Sequence, residues 1–202
     1  MAKFAGDKKV GQSILGPWET AFKKAAVPRL PGWIETYHLT LTTILWSAGM
    51  IWFGYLCRGN IGWIWGMSGM IVLQYVTDLF DGELGRYRNT GLIKWGFFMD
   101  HFLDFIFTCS IVVAYSLMSS EGFTYYFFGL FACAGAFMVN SFLSFASTNE
   151  FEIFHYGIGP TEIRLGYIIM NIIIFIWGVG IFKIWVPILF FVNVVLLIFM
   201  VW

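Results

Sequence analysis

The chain reads as an all-α, polytopic integral membrane protein with six transmembrane helices and an N-terminal interfacial amphipathic helix. Three observations predict this. Hydrophobic residues fill 59% of the 202 positions and aromatic residues 21%, against 12% charged, and the mean hydropathy is +0.76, outside the range of a soluble domain. Apolar runs long enough to cross a hydrocarbon core of roughly 30 Å recur six times. The connections between them are short and hold helix breakers: Arg58-Gly59-Asn60, Asn89-Thr90-Gly91, Ser119-Ser120-Glu121-Gly122 and Gly157-Ile158-Gly159-Pro160.

Residues 1–35 form the expected cytoplasmic N-terminus and interfacial helix. The stretch up to Gln12 is polar and carries Lys3, Lys8 and Lys9 with no apolar segment behind them, so no cleavable signal peptide is expected. Over 17–27, Pro17 suits a first helical turn, and Trp18, Ala21, Phe22 and Ala25 share one stripe. Glu19, Lys23 and Lys24 lie elsewhere and Pro28 ends the run, the pattern of a helix lying in the membrane interface. Residues 36–202 form one six-helix domain, with spans expected at 36–57, 62–86, 95–119, 122–147, 160–182 and 184–202.

Charge position sets the orientation. Lys3, Lys8, Lys9, Lys23, Lys24, Arg29, Arg86, Arg88, Lys94 and Arg164 fall on one side, and only Arg58 and Lys183 on the other. The positive-inside rule then places both termini in the cytoplasm, with the polar ends of the second and third spans. The zero net charge gives no reason to expect a nucleic-acid partner. Cys57, Cys109 and Cys133 are scattered through apolar segments without metal-ligand spacing and are expected as buried free thiols. Gly62-x3-Gly66, Gly129, Ala132 and Ala136 are small enough for close helix approach, most simply inside the bundle.

Four aspartates interrupt the second and third spans. An Asp at a helix centre costs roughly 2.5 to 3.5 kcal/mol on insertion, so four oppose insertion by roughly 10 kcal/mol if they lie at mid-membrane. Carboxylates at such depth face a polar cavity or share cations, which marks a functional site. The segment reads Asp78-x2-Asp81-Gly82-x2-Gly85-Arg86-x9-Gly96-x3-Asp100-x3-Asp104. Spacings of three and four place each acidic pair on one side of its helix, so that the two helices can turn the pairs together. Oxygen-only ligands favour hard divalent cations, Mg²⁺ first, with Mn²⁺ or Ca²⁺ as alternatives. Gly82 and Gly85 leave room for a flat ligand against the backbone, Gly96 thins the facing helix, and Arg86 suits a pyrophosphate. Close packing through small residues would explain the glycines but not the aspartates or Arg86. A cation channel or transporter is the rival class, and Arg86 in the site argues against it.

At these residues the chain resembles the CDP-alcohol phosphotransferase family, whose signature D-x2-D-G-x2-A-R-x8/9-G-x3-D-x3-D differs here only in having Gly85 for Ala. The resemblance spans about 36–182. It implies an integral membrane homodimer of phospholipid synthesis that moves a phospho-alcohol unit from a CDP-linked donor to a hydroxyl and releases CMP. It further implies that Asp78, Asp81 and Asp100 hold metal ions, with Asp104 completing the site as a base. Gly82, Gly85 and Gly96 would border the nucleotide with Asp78, and Arg86 would grip the donor phosphates.

Phe154-His155-x-Gly157, Gly159-Pro160-Thr161-Glu162 and Asp100-His101 are similar to the choline and ethanolamine phosphotransferase branch, although Phe102 and Leu103 replace the branch's Gly-Cys. That likeness tilts the expected substrates to CDP-choline or CDP-ethanolamine with diacylglycerol. The alternative is a CDP-diacylglycerol donor with inositol, serine or glycerol phosphate as acceptor. His155 becomes a rival to Asp104 as base, since a neutral imidazole accepts protons near neutral pH. Arg164 is either a contact to lipid or donor phosphate or a positive-inside anchor, and Glu162 is placed to orient it. His38, beside Thr40 and Thr42, is expected to be a solvated interfacial residue.

Overall fold

Helix ends fall where the chain supplies breakers and caps. The computed structural model describes residues 16–119, 122–148 and 159–202, and every regular element among them is helical. In chain order these are α1 (Gly16–Ala26), α2 (Thr36–Leu56), α3 (Ile64–Arg88), α4 (Ile93–Met118), α5 (Thr124–Thr148), α6 (Pro160–Trp177) and α7 (Phe182–Val201). Single 3₁₀ turns at Val27–Arg29, Ile61–Trp63 and Val179–Ile181 lead into α2, α3 and α7.

The expected apolar segments coincide with these helices, with two instructive differences. The second begins later, at Ile64, because the Asn60 side chain accepts a hydrogen bond from Gly62 N–H at 2.8 Å and holds Ile61–Trp63 as a 3₁₀ turn. The fifth stops at Trp177 rather than 182, because Gly178 sits at φ +75°, a conformation open to glycine that ends the α-helical ladder. Asn89 closes α3 at φ 52°, and its neighbour Thr90 donates N–H back to Gly85 C=O. His38 is exposed, yet it also caps the start of α2, where its Nδ1 accepts from Glu35 N–H at 3.0 Å.

Among the described residues, five segments are long and apolar enough to cross a membrane: α2, α4, α5, α6 and Val179–Val201. The other long helix, α3, carries Gln74, Asp78, Asp81, Glu83, Arg86 and Arg88 in its second half. Side chains such as Ile184, Phe191, Val195 and Phe199 on α7 stand outward and exposed. Outward apolar faces of this kind suit a protein whose solvent is lipid.

α2 lies between α3 and α4 and makes the most extensive packing of the bundle with both, while α6 packs on α3 and α5 bridges α4 and α7. Glycine sets the α2–α4 approach. A Cβ added to Gly54 would stand 2.6 Å from Ala114 Cβ and 2.7 Å from its Cα. Gly66 and Gly129 receive the Phe53 and Phe190 rings, so these small residues serve internal packing. The core is built from Met50, Ile64, Met67, Ile71, Ala114 and Ile174, all at most 1% exposed. A polar thread crosses it: Tyr115 O–H donates to Asn171 Oδ1 at 2.7 Å, and Asn171 Nδ2 donates to Ser68 Oγ at 2.9 Å, joining α4, α6 and α3. The three cysteines are buried free thiols, as expected.

A second apolar cluster, Val27, Phe80 and Leu84, fastens the α1–α2 connection to α3. Arg88 secures the same connection by donating to the backbone carbonyls of Leu30, Pro31, Gly32 and Ile34.

The glycine geometry predicts a contrast. Gly54→Ala should destabilise the purified protein by about 1–3 kcal/mol through overpacking, whereas Gly69→Ala, where an added Cβ meets nothing within 4 Å, should be neutral or slightly stabilising. Thermal unfolding in detergent checks both variants.

Candidate active site

α3 and α4 deliver their carboxylates to one place. Oxygens of Asp78, Asp100 and Asp104, all half-buried, lie within 4.8 Å of one another. The spacing that achieves this is local: Asp100 and Asp104 are one helical turn apart, about 40° around the axis, so both reach the same partner. Asp78 meets them from α3.

Arg164 closes the group from the second turn of α6. Its Nη2 donates to Asp78 Oδ2 at 2.8 Å and to Asp104 Oδ1 at 3.4 Å, and its side chain is only 12% exposed. A buried guanidinium beside two carboxylates satisfies charge that would otherwise be costly to desolvate. The Arg164 side chain, expected as a phosphate contact or a surface anchor, is turned inward to the acids. Glu162, expected to orient Arg164, accepts from Gly159 N–H at 2.8 Å and caps α6.

Asp81 takes a different direction from Asp78. It is 4% exposed; Thr40 Oγ1 of α2 donates to its Oδ2 at 2.5 Å, and its buried Oδ1 has no hydrogen-bond partner among the described residues. A three-residue step rotates about 60° short of a full turn, which aims Asp81 toward α2.

Gln74, one turn before Asp78 and fully buried, donates Nε2–H to Asp104 Oδ1 at 2.7 Å, while its own Oε1 has no partner. The sequence motif does not include Gln74. A lone amide four residues ahead of the first aspartate in an apolar run is the signal that could have found it. The donor chemistry fits a hard divalent cation: all three clustered ligand atoms are oxygens, and unpartnered buried acceptors sit on Asp81 and on Gln74 beside Asp104.

The other residues singled out in the sequence are placed as follows. Arg86 lies in the last turn of α3 with its side chain 68% exposed, paired to Glu83 at 2.9 Å. A Cβ on Gly82 would meet only the Arg86 guanidinium, at 3.6 Å, so its backbone is otherwise open. Gly85, where the signature has alanine, faces Thr36 of α2, whose Oγ1 would be 3.2 Å from an added Cβ. Among the described residues, nothing lies within 4 Å of a Cβ added to Gly96. His101 Nδ1 lies 2.7 Å from Phe97 C=O, and its ring packs near Phe97 and Phe142. His155 lies outside the described residues.

A further group borders the site. Arg164 lies over the Tyr75 ring, 5.8 Å from its centroid, and the Tyr75 hydroxyl donates to Glu19 of α1. No curated protein and no solved structure matches the chain. The sequence model of the CDP-alcohol phosphatidyltransferase family matches residues 33–202, which include every described residue of the acidic cluster and Arg164. The chain thus belongs to the CDP-alcohol phosphatidyltransferase family.

Proposed function

We propose that the protein transfers the phospho-alcohol unit of a CDP-linked alcohol to the hydroxyl of a second alcohol, releasing CMP at the cytoplasmic face of its membrane. Family membership makes it a transferase of phospho-alcohol groups in phospholipid synthesis. The observation that carries the finer reading is the convergence of Asp78, Asp100 and Asp104 within 4.8 Å.

Asp78, Asp100 and Asp104, with Asp81 alongside, would hold divalent metal, Mg²⁺ first. When bound, that cation neutralises the charge that builds on the departing CMP. The chain's own groups do the rest. Gln74 and Arg164 donate to one oxygen of Asp104, fixing its carboxylate against rotation. So oriented, Asp104 accepts the proton of the attacking hydroxyl as the new O–P bond forms and the P–O bond to CMP breaks. His155 is the alternative acceptor for that proton. Arg86, exposed on the last turn of α3, grips the donor phosphates, and the open backbone at Gly82 and Gly96 borders the cytidine with Asp78 and Gly85.

The preferred substrates are CDP-choline or CDP-ethanolamine with diacylglycerol, on the strength of Gly159-Pro160-Thr161-Glu162 opening the helix that carries Arg164. CDP-diacylglycerol with inositol, serine or glycerol phosphate is the alternative. We take the working unit to be a homodimer, on family likeness. A cation pathway fits poorly, because a guanidinium already spans two of the carboxylates.

Purified protein given each CDP-linked donor with a panel of alcohols should release CMP with one donor class, and the product mass names the acceptor. Asp78→Ala, Asp100→Ala and Asp104→Asn should each lower that rate by at least about 10²-fold while the protein remains monodisperse. Full turnover in Asp100→Ala would remove the metal assignment. Chelation should abolish CMP release and Mg²⁺ restore it; Mn²⁺ binding followed by electron paramagnetic resonance should weaken in the same aspartate variants without reference to turnover.

A further inference from the structure

α1 lies before the matched residues 33–202, yet one of its side chains reaches the site's border. Glu19 Oε1 accepts from the Tyr75 hydroxyl of α3 at 3.0 Å and from Thr161 Oγ1 of α6 at 2.7 Å. A single carboxylate oxygen therefore joins the two helices whose Asp78 and Arg164 form the ion pair. Tyr75 stands three residues before Asp78 and Thr161 three before Arg164, so the bridge sits about one turn from each partner of that pair, on the same side of its helix. The Tyr75 ring then lies against the guanidinium, with the carboxylates of Asp78 and Asp104 as its other partners. Phe22, three residues on, seats α1 by packing its ring 5.5 Å from Phe80.

We propose that Glu19 is a positioning residue: from outside the transferase core it clamps α3 to α6 through Tyr75 and Thr161, and thereby fixes the direction in which Arg164 points. The partly buried carboxylate suits this position, since it accepts two hydroxyl donors at once and a charged acceptor strengthens each bond. Arg164 cannot swing away from Asp78 without losing the face of Tyr75, and Tyr75 is held by its hydroxyl. α1 is therefore a structural part of the site, beyond any role at the membrane surface.

The consequence for catalysis rests on the transfer reaction proposed above; the clamp itself does not. Tyr75→Phe should lower kcat/KM for the CDP-linked donor about tenfold, the effect of losing one hydrogen bond to a charged group; Glu19→Ala, which removes both bonds, should lower it at least as much, and the loss should fall on KM. The double variant should be no worse than Glu19→Ala alone, and Glu19→Gln, which keeps the accepting oxygen, should recover most of the activity. Multiplicative losses in the double variant, or a Gln variant as impaired as Ala, would overturn the proposal. Amide hydrogen exchange provides the readout free of turnover: Glu19→Ala should speed exchange both in Gly16–Ala26 and in the first turn of α6, and unchanged exchange in α6 counts against the clamp. If Glu19→Ala does not fold, Thr161→Ala removes one of the two bonds and must show the same direction in both assays. If wild-type protein releases no CMP from any donor, the transfer reading fails, and the exchange result alone decides the clamp.

Discussion

Three carboxylates and one guanidinium occupy the same half-buried space, and that imbalance governs how the bundle is put together. Arg164 answers part of the charge on Asp78 and Asp104, and among the described residues of the cluster carboxylates outnumber guanidinium groups. Removing such groups from water costs several kcal/mol per ion unless partners repay it. Hydrogen bonds from Gln74 to Asp104 and from Thr40 to Asp81 supply partial compensation. The unpartnered acceptors at Asp81 and Gln74 mark where compensation is incomplete. A divalent cation would suit such a set, since the same electrostatics that oppose burying the acids would favour binding an ion there.

How much of this can be read from the chain differs by length scale. Helices are legible because hydropathy and breakers act over a few residues: the six apolar runs correspond to α2 through α7, and the errors lie at Asn60 and Gly178, where a side-chain cap and a positive φ act locally. The acidic trio is legible in part. Asp100 and Asp104 stay together because a four-residue step nearly completes a turn, whereas the three-residue step from Asp78 carries Asp81 toward Thr40. Contacts between distant segments are not legible. Arg164 is 86 residues from Asp78, and Thr161 is 142 from Glu19, separations over which no periodicity carries information. Arg86 stands out in the sequence because it adjoins the motif; Arg164 holds the buried position because α6 packs on α3.

α2 contributes no ligand to the acidic cluster and still sets its dimensions. It is wedged between α3 and α4, and its Gly54 permits backbone-level contact with Ala114 on one side while Thr36 crowds Gly85 on the other. Trp46 Nε1 donates to Thr77 Oγ1 at 3.2 Å, one residue before Asp78, and Thr40 fixes Asp81. The distance between the two acid-bearing helices is therefore decided by small residues and hydroxyls on a third helix. Protein interiors are dense enough that a displaced methyl is transmitted rather than absorbed, so changes on α2 reach the carboxylates through α3 and α4 together.

The two arginines differ in how firmly each is held. Arg164 has two acidic partners, an aromatic face and a side chain 12% exposed. Moving it would take its charge away from two half-buried carboxylates that are partly desolvated. Arg86 is 68% exposed and has a single ion pair with Glu83 on its own helix. Exposed pairs of that kind are worth about 0–1 kcal/mol, so a phosphate can take the Arg86 guanidinium at little cost. In the proposed transfer, Arg164 would hold the acids in place and Arg86 would meet the incoming donor. Two arginines of equal charge are thus held with different firmness because one is buried and the other exposed.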